Sequence, residues 1–289
     1  MKTYFDCIPC FIDQALKIAR FATDDENVHE QVWREIVRAA GRMDLSEPPA
    51  LMGRYIHQTV RRFSGNEDPY RPLKEHFNQL ALKYLPKLHK TVQGSNDPLE
   101  TAVRLAIAGN IIDFAVRTEF DDNMLERAIE ESLTADMPKS SLDDFRRTVS
   151  RAQKILYLGD NAGEIVFDRL LLEQLPTGKI TFAVRGGPVI NDATMADART
   201  SGITDLVEVI DNGSDVAGTI VGMCSDEFRR RFAAADLIIA KGQGNYETLN
   251  HADKNIFHLL KVKCPVIARD IGCEVGSVVM QRNSTFKKT

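Results

Sequence analysis

The chain of 289 residues lacks any run of about 18 apolar residues, which excludes a helix able to span a bilayer. Its N-terminal stretch, Met1 to Gln14, carries Asp6 and Asp13 where a secretory signal needs a continuous apolar core, so no export signal is expected. Cysteine is scarce: Cys7, Cys10, Cys224, Cys264 and Cys273 are an odd set of five. That fits reduced thiols in the cytoplasm rather than a disulfide framework. Neither sign of charge dominates, with 37 Lys and Arg against 41 Asp and Glu and a net charge of −4, so no surface built for nucleic acid is indicated. Internal repeats and low-complexity tracts are missing too. A composition 43% hydrophobic and 27% charged leaves out disordered, collagenous and disulfide-scaffold proteins. What remains is a soluble cytoplasmic protein, long enough for about two domains and a core that needs no covalent staple.

Glycine is thin in one half. Only five of the 18, Gly41, Gly53, Gly65, Gly94 and Gly109, lie in residues 1–150. In that half Ile8, Phe11, Ile12, Ala15, Leu16 and Ala19 repeat with the period of one helical face. Further helices are predicted at Val28–Ala40, Pro49–Phe63, Tyr70–Leu82, Leu99–Phe120 and Leu125–Leu133, separated by breaks such as Ser64 to Pro69 and Gly94 to Pro98. Trp33 and the scattered phenylalanines read as core. Leu142–Arg151 is predicted as a helix with Ser141 as its N-cap and Asp144 as the capping-box partner. From Lys154 the pattern changes to short apolar runs: Ile155–Leu158, Ile180–Val184, Leu206–Ile210, Leu237–Ala240, Val266–Ala268 and Ser277–Met280. Strands alternating with helix-length segments predict an α/β fold, a Rossmann-like and mostly parallel sheet, with an all-helical N-terminal region. The expected division is a helical domain over 1–138 and an α/β domain over 139–289.

Four predicted strands are followed by polar, glycine-bearing segments: Gly159-Asp160-Asn161-Ala162-Gly163-Glu164, Arg185-Gly186-Gly187-Pro188 with Asn191-Asp192, Asp211-Asn212-Gly213-Ser214-Asp215, and Lys241-Gly242-Gln243-Gly244-Asn245. In an open parallel sheet the strand carboxyl ends share one edge, where ligands bind. Asp160, Asn161 and Asp192 are hard oxygen donors suited to Mg²⁺ or Mn²⁺ and tolerable for Co²⁺ or Ni²⁺. Lys241 and the glycines after it could offer an ammonium and backbone N–H groups to an anion. Each segment taken alone also reads as an ordinary turn or cap.

Familiar catalytic signatures are missing. The chain holds no P-loop, no Gly-x-Gly-x-x-Gly (Glu247 stands at the third glycine), no Asp-x-Asp after the first strand (Ala162 stands at the second Asp) and no Gly-x-Ser-x-Gly elbow. Its six histidines, His251 among them, show no ligand spacing.

The segments Gly159 to Glu164, Asn191-Asp192-Ala193-Thr194 and Lys241 to Glu247 together resemble the DUF89 family of metal-dependent damage-control phosphatases. Cys7-Ile8-Pro9-Cys10 and Gly109-Asn110-Ile111-Ile112-Asp113-Phe114 resemble its prokaryotic branch, which carries a Cys-x-x-Cys near its start. The resemblance covers nearly the whole chain. It implies a helical region packed against a Rossmann-like domain, and hydrolysis of small phosphomonoesters, sugar phosphates or damaged phosphometabolites, with a divalent metal. It also implies that Asp160, Asn161 and Asp192 hold the metal and that Lys241 contacts the phosphate.

Around that core, Glu164 is a candidate base or orienting group, with capping of a helix N-terminus as the plainer role. Arg185, Gly186, Gly242, Gly244 and Asn245 are candidate substrate contacts. Asn110 and Asp113, spaced i, i+3 in an apolar stretch, could close the site from the helical side or form a buried pair. Cys7, Cys10 and Cys264 could form a second metal site, or simply be reduced thiols. Two further functions compete: a non-catalytic sensor of a phosphometabolite or nucleotide, and a carboxyl methyltransferase. Oligomeric state is not legible.

Overall fold

A computed structural model describes residues 1–110 and 122–283. Seven helices precede the first strand among those residues: α1 (Cys7–Ala22), α2 (Glu26–Ala40), α3 (Pro49–Ser64), α4 (Arg71–Gln93), α5 (Pro98–Gly109), α6 (Asp122–Thr134) and α7 (Lys139–Arg151). The strands are β1 (Ile155–Leu158), β2 (Ile180–Val184), β3 (Glu208–Asp211), β4 (Leu237–Lys241), β5 (Ile256–Lys261) and β6 (Val278–Arg282). Between them run α8 (Glu164–Leu172), α9 (Met195–Thr200), α10 (Asp226–Ala234), α11 (Gly242–Leu249) and α12 (Pro265–Ile271).

The sheet order is β3-β2-β1-β4-β5-β6. The first five strands are parallel and β6 runs antiparallel to β5. Every residue of β1, β2 and β4 is buried, as continuous apolar runs require in a sheet covered on both faces. At the β3 edge Glu208 and Asp211 are exposed. Glu208 accepts hydrogen bonds there from the Arg231 guanidinium and the Thr181 hydroxyl.

One core cluster joins Phe77 of α4 and Leu105 of α5 to Phe145, Phe167, Tyr157, Phe182 and Phe257. The helices α4 and α5 thus share their core with one face of the sheet. Leu156, Leu158 and Ile238 meet Phe228 and Phe232 of α10 on the other face. The first three helices close on their own cluster around Ile18, Val32, Ile36 and Ile56. Along α1 the predicted face is realised in part: Phe11, Ala15 and Ala19 are buried, Ile8, Ile12 and Leu16 are half-buried, and Ile18 joins the buried set. No described helix is long and apolar enough to cross a membrane.

Several local expectations need correction. The run Val266–Ala268 is helix, not strand: Pro265 opens α12 in the first turn, where its missing N–H does no harm, and Gly272 ends it. A fifth parallel strand, β5, was not anticipated, because its apolar run is split by His258. The helix α7 starts at Lys139 with no side-chain cap, so Ser141 lies inside it rather than capping it. Beyond Leu82, α4 continues through Pro86 to Gln93. Trp33 lies at the surface of α2, 38% exposed. The expected helix Leu99–Phe120 is realised to Gly109; Asp113 lies outside the described residues.

Buried histidine gives this fold a sensitivity to acid. His57 of α3 is 3% exposed and its Nε2 has no hydrogen-bond partner among the described residues. Burial, reinforced by the Arg61 charge, pushes its pKa down to about 3. The unfolded chain takes up that proton near pH 6.5, roughly, so the contribution is complete above that value and falls as the pH drops toward the folded pKa. Relative to His57→Leu, the wild type should lose up to about 1.4 kcal/mol of unfolding free energy per pH unit between roughly pH 6 and pH 4. Urea unfolding at a series of pH values reads this; a difference that does not change with pH would contradict it.

Candidate active site at the carboxyl edge of the sheet

Two loops build the site, one after β1 and one after β2. They are stitched by main-chain bonds: Ala162 N donates to Asn191 O at 2.8 Å and Ala193 N to Asp160 O at 2.7 Å. Asn161 and Asp192 thereby pair as an isolated antiparallel bridge. This stitching brings Asp160, Asn161 and Asp192 together beside the switch point, where the sheet order reverses on either side of β1. They are 8%, 5% and 3% exposed, respectively.

Two amides then tie the carboxylates into a network. Asn110, at the end of α5, donates through Nδ2 to Asp160 Oδ2 at 3.0 Å and Glu164 Oε2 at 2.9 Å. Asn161 Nδ2 donates to the same two oxygens, each at 2.9 Å. Glu164 occupies the first turn of α8 and is fully buried. Burial raises the Asp160 pKa well above the usual carboxylate value, and the charges of Glu164 and Asp192 add to that; Arg185 and Lys263 oppose it.

The Lys241 ammonium lies below this network. It donates to Glu164 Oε1 at 2.6 Å, Asp168 Oδ1 at 2.7 Å and Ala106 O at 2.8 Å. An ammonium has three protons to donate, and all three are taken. The expected contact between Lys241 and a phosphate is therefore not made in this arrangement. Burial works against its charge, but Asp168 and Glu164 outweigh it and hold its pKa above the ordinary lysine value. Tyr157 completes the group by donating to Asp168 Oδ1 at 2.8 Å.

Arg185 supplies a second buried cation to this network. Its Nε donates to Asp192 Oδ2 at 2.6 Å, and its guanidinium lies 3.6 Å from Asp160 Oδ1. Asn245 spans the switch point by donating to Lys241 O at 2.7 Å and Gly159 O at 3.3 Å, and it accepts from Thr219 Oγ1 at 2.7 Å. Gly242 has φ +75°, and a Cβ there would stand 1.8 Å from Asp160 Oδ2. Only glycine lets that carboxylate occupy its place. Gly186 and Gly244 are explained by chain crossings: a Cβ would meet Gly213 Cα at 2.5 Å in the first and Ala217 O at 2.9 Å in the second. Asn245, Gly186 and Gly244 thus each have a part in holding the scaffold together.

The damage-control phosphatase ARMT1-like domain profile matches residues 3–279. A damage-control phosphatase of Pyrococcus horikoshii is 35% identical over 288 residues, covering 98% of this chain and 99% of the relative. One from Archaeoglobus fulgidus is 37% identical over 285 residues, covering 94% and 96%. An uncharacterised protein of Methanocaldococcus jannaschii is 39% identical over 287 residues, covering 95% and 93%. The crystal structure of a DUF89 family protein from Pyrococcus horikoshii superposes with a TM-score of 0.87 at 34% identity, over 98% of this chain and all of that one. The chain belongs to the DUF89 family of damage-control phosphatases.

In this DUF89 chain Cys7 lies within electrostatic reach of both Cys10 and Cys264, the three thiols named as a possible second metal site. Cys7 and Cys264 are half-buried, Cys10 is exposed, and all are free. Among the described residues no three His, Cys, Asp or Glu side chains form a group able to hold a metal. Cys264 accepts a hydrogen bond from Gln243 Nε2 at 3.6 Å. His251 is exposed.

Asp168 and Tyr157 were missed by the sequence reading, although a signal existed. Glu164 and Asp168 are one helical turn apart in a segment whose other residues are apolar except Arg169, which donates instead to Ser201 O. Two carboxylates on a buried helix demand a buried cation. The role of Lys241 is testable on stability alone. Lys241→Met leaves Glu164 and Asp168 without their counter-ion and should destabilise the fold by about 3–5 kcal/mol in denaturant unfolding. A lysine serving only as a phosphate contact would leave stability unchanged.

Proposed function

We propose that this DUF89 chain is a divalent-metal-dependent phosphatase acting on small phosphomonoesters, sugar phosphates or damaged phosphometabolites. The observation that carries the reading is a charge imbalance. Four buried carboxylates, Asp160, Glu164, Asp168 and Asp192, face two buried cations, Lys241 and Arg185. Among the described residues, with all four carboxylates ionised, two negative charges are left in excess, and Lys263 offsets them from a more exposed position. The donor set fits a divalent cation: two carboxylates and an amide are hard oxygen ligands. Asn161 Oδ1 also accepts no hydrogen bond among the described residues, its Nδ2 being turned to the carboxylates.

Asp160, Asn161 and Asp192 would hold the metal, with Mg²⁺, Mn²⁺, Co²⁺ and Ni²⁺ as the ions such a set accepts. Once bound, the metal supplies charge stabilisation on the phosphoryl oxygens and orients an attacking water. Arg185 is the protein cation nearest the carboxylate pair, and its planar fork suits a phosphate as well as a carboxylate. Glu164 acts as an orienting group: Lys241 fixes one of its oxygens and the amides of Asn110 and Asn161 fix the other. Lys241 accordingly works through Glu164. A binding module that only sensed a phosphometabolite would need an anion cradle, not an excess of buried negative charge. That excess favours the enzyme.

The test is phosphate release from a panel of sugar phosphates and other small phosphomonoesters, using chelator-stripped protein with each metal restored singly. Turnover should return with metal. Asp160→Asn and Asp192→Asn should each lower kcat by about 100-fold or more; stability should be unchanged or raised in Asp160→Asn, but lowered in Asp192→Asn, which takes the closest carboxylate from the buried Arg185. Near-wild-type turnover in both variants would sink the metal assignment, and a wild type silent with every metal would sink the activity.

A further inference from the structure

We infer that Asn78 of α4 is a positioning residue for both metal-bearing loops, an inference that rests on the functional reading above. Asn78 is 1% exposed, and among the described residues its side-chain hydrogen bonds go to no proposed metal ligand. Its Oδ1 accepts from Gly163 N at 2.7 Å, at the end of the loop that carries Asp160 and Asn161. Its Nδ2 donates to Asp197 Oδ1 at 2.8 Å. The other carboxylate oxygen of Asp197 accepts from both the backbone N–H and the hydroxyl of Thr194, each at 2.8 Å. Thr194 closes the loop that carries Asp192. One amide therefore braces the two loops from the helical side, while the main-chain bonds between them act from within.

The chemistry at this position is specific. The brace needs an acceptor on one side and a donor on the other, which an amide has and a carboxylate or an alkyl group lacks. Gly163 N belongs to the N-terminal end of α8, whose first amides have no partner within the helix. Lys74, one turn before Asn78, lies 3.7 Å from Asp197 and 3.1 Å from Asp68, so the Asp197 charge is balanced from the same helix. Close contact with Phe77 leaves no slack: a Cβ on Gly163 would stand 3.1 Å from Phe77 Cβ. The separation of Asp160 and Asn161 from Asp192 is thus set partly by a residue from outside the sheet.

Three variants test the assignment: Asn78→Asp, Asp197→Asn, and the two combined. Asn78→Asp sets two carboxylates against each other; Asp197→Asn removes the acceptor of the Asn78 amide or that of Thr194. The double variant exchanges amide and carboxylate. The carboxylate at 78 again accepts from Gly163 N, and the amide at 197 donates to it while accepting from Thr194. Mn²⁺ binding is measured by calorimetry on chelator-stripped protein, with urea unfolding alongside. Each single variant should bind Mn²⁺ about tenfold more weakly while folded, the low end of the loss seen when a group bonded to a ligand is removed, since Asn78 acts on the loops and not on a ligand itself. The double variant should recover most of that affinity. Folded single variants that bind Mn²⁺ like the wild type, or a folded double variant that fails to recover, would overturn the inference. Should Asn78→Asp not fold, Asp197→Asn and the double variant still decide it. A wild type that binds none of Mg²⁺, Mn²⁺, Co²⁺ and Ni²⁺ would overturn the functional reading and the inference with it.

Discussion

The buried ammonium of Lys241 is the interaction on which the site depends. It is held at once by α8, through Glu164 and Asp168, and by α5, through Ala106 O. Because it extends from the last residue of β4, it joins the sheet edge to two helices at a point water does not reach. Desolvating such a cation is costly, and the two carboxylates repay that only while their geometry holds. Glu164 then passes the order upward: with one oxygen fixed by Lys241, its other can serve the amides of Asn110 and Asn161. A charged pair in the interior thus fixes the direction of a polar network at the surface of the sheet.

The topology explains why so few residues suffice. The order reversal at β1 leaves a crevice between the loops after β1 and β2 on one side and the start of α11 on the other. Asn245 spans that crevice at the backbone, and Arg185 spans it between carboxylates. From the helical region come Asn110, Ala106 and Asn78, each at a helix end or on a face buried against α8. Those helices supply bonds that hold the loops in addition to covering them.

Much of this was legible in the sequence, and the rest was hidden for identifiable reasons. The helical periodicity of α1 and the apolar runs of β1, β2 and β4 are local signals that tertiary structure did not override. Polar segments after those strands could be placed on one edge because a parallel sheet leaves them nowhere else to go. What local pattern could not supply was direction. Lys241 reads as a ligand-facing cation by its neighbours in sequence, yet its side chain extends beneath the loop because Glu164 and Asp168 wait there. Asn78 gave no signal, since a lone asparagine in a helix is ordinary until its two partners, far off in sequence, are known. A single interior histidine was enough to conceal β5, and a three-residue apolar run between Pro265 and Gly272 was too short to tell helix from strand.

The charged edge at β3 bears on how the molecule keeps company with others. An open sheet ends in unpaired backbone groups that invite another strand, and aggregation commonly starts from such edges. Here the edge strand is short, and its first and last residues, Glu208 and Asp211, stand in solvent. A chain pairing along β3 would have to strip water from both carboxylates and disturb the Arg231 pair with Glu208. The sheet is thereby protected against edge-to-edge growth on the side away from β6.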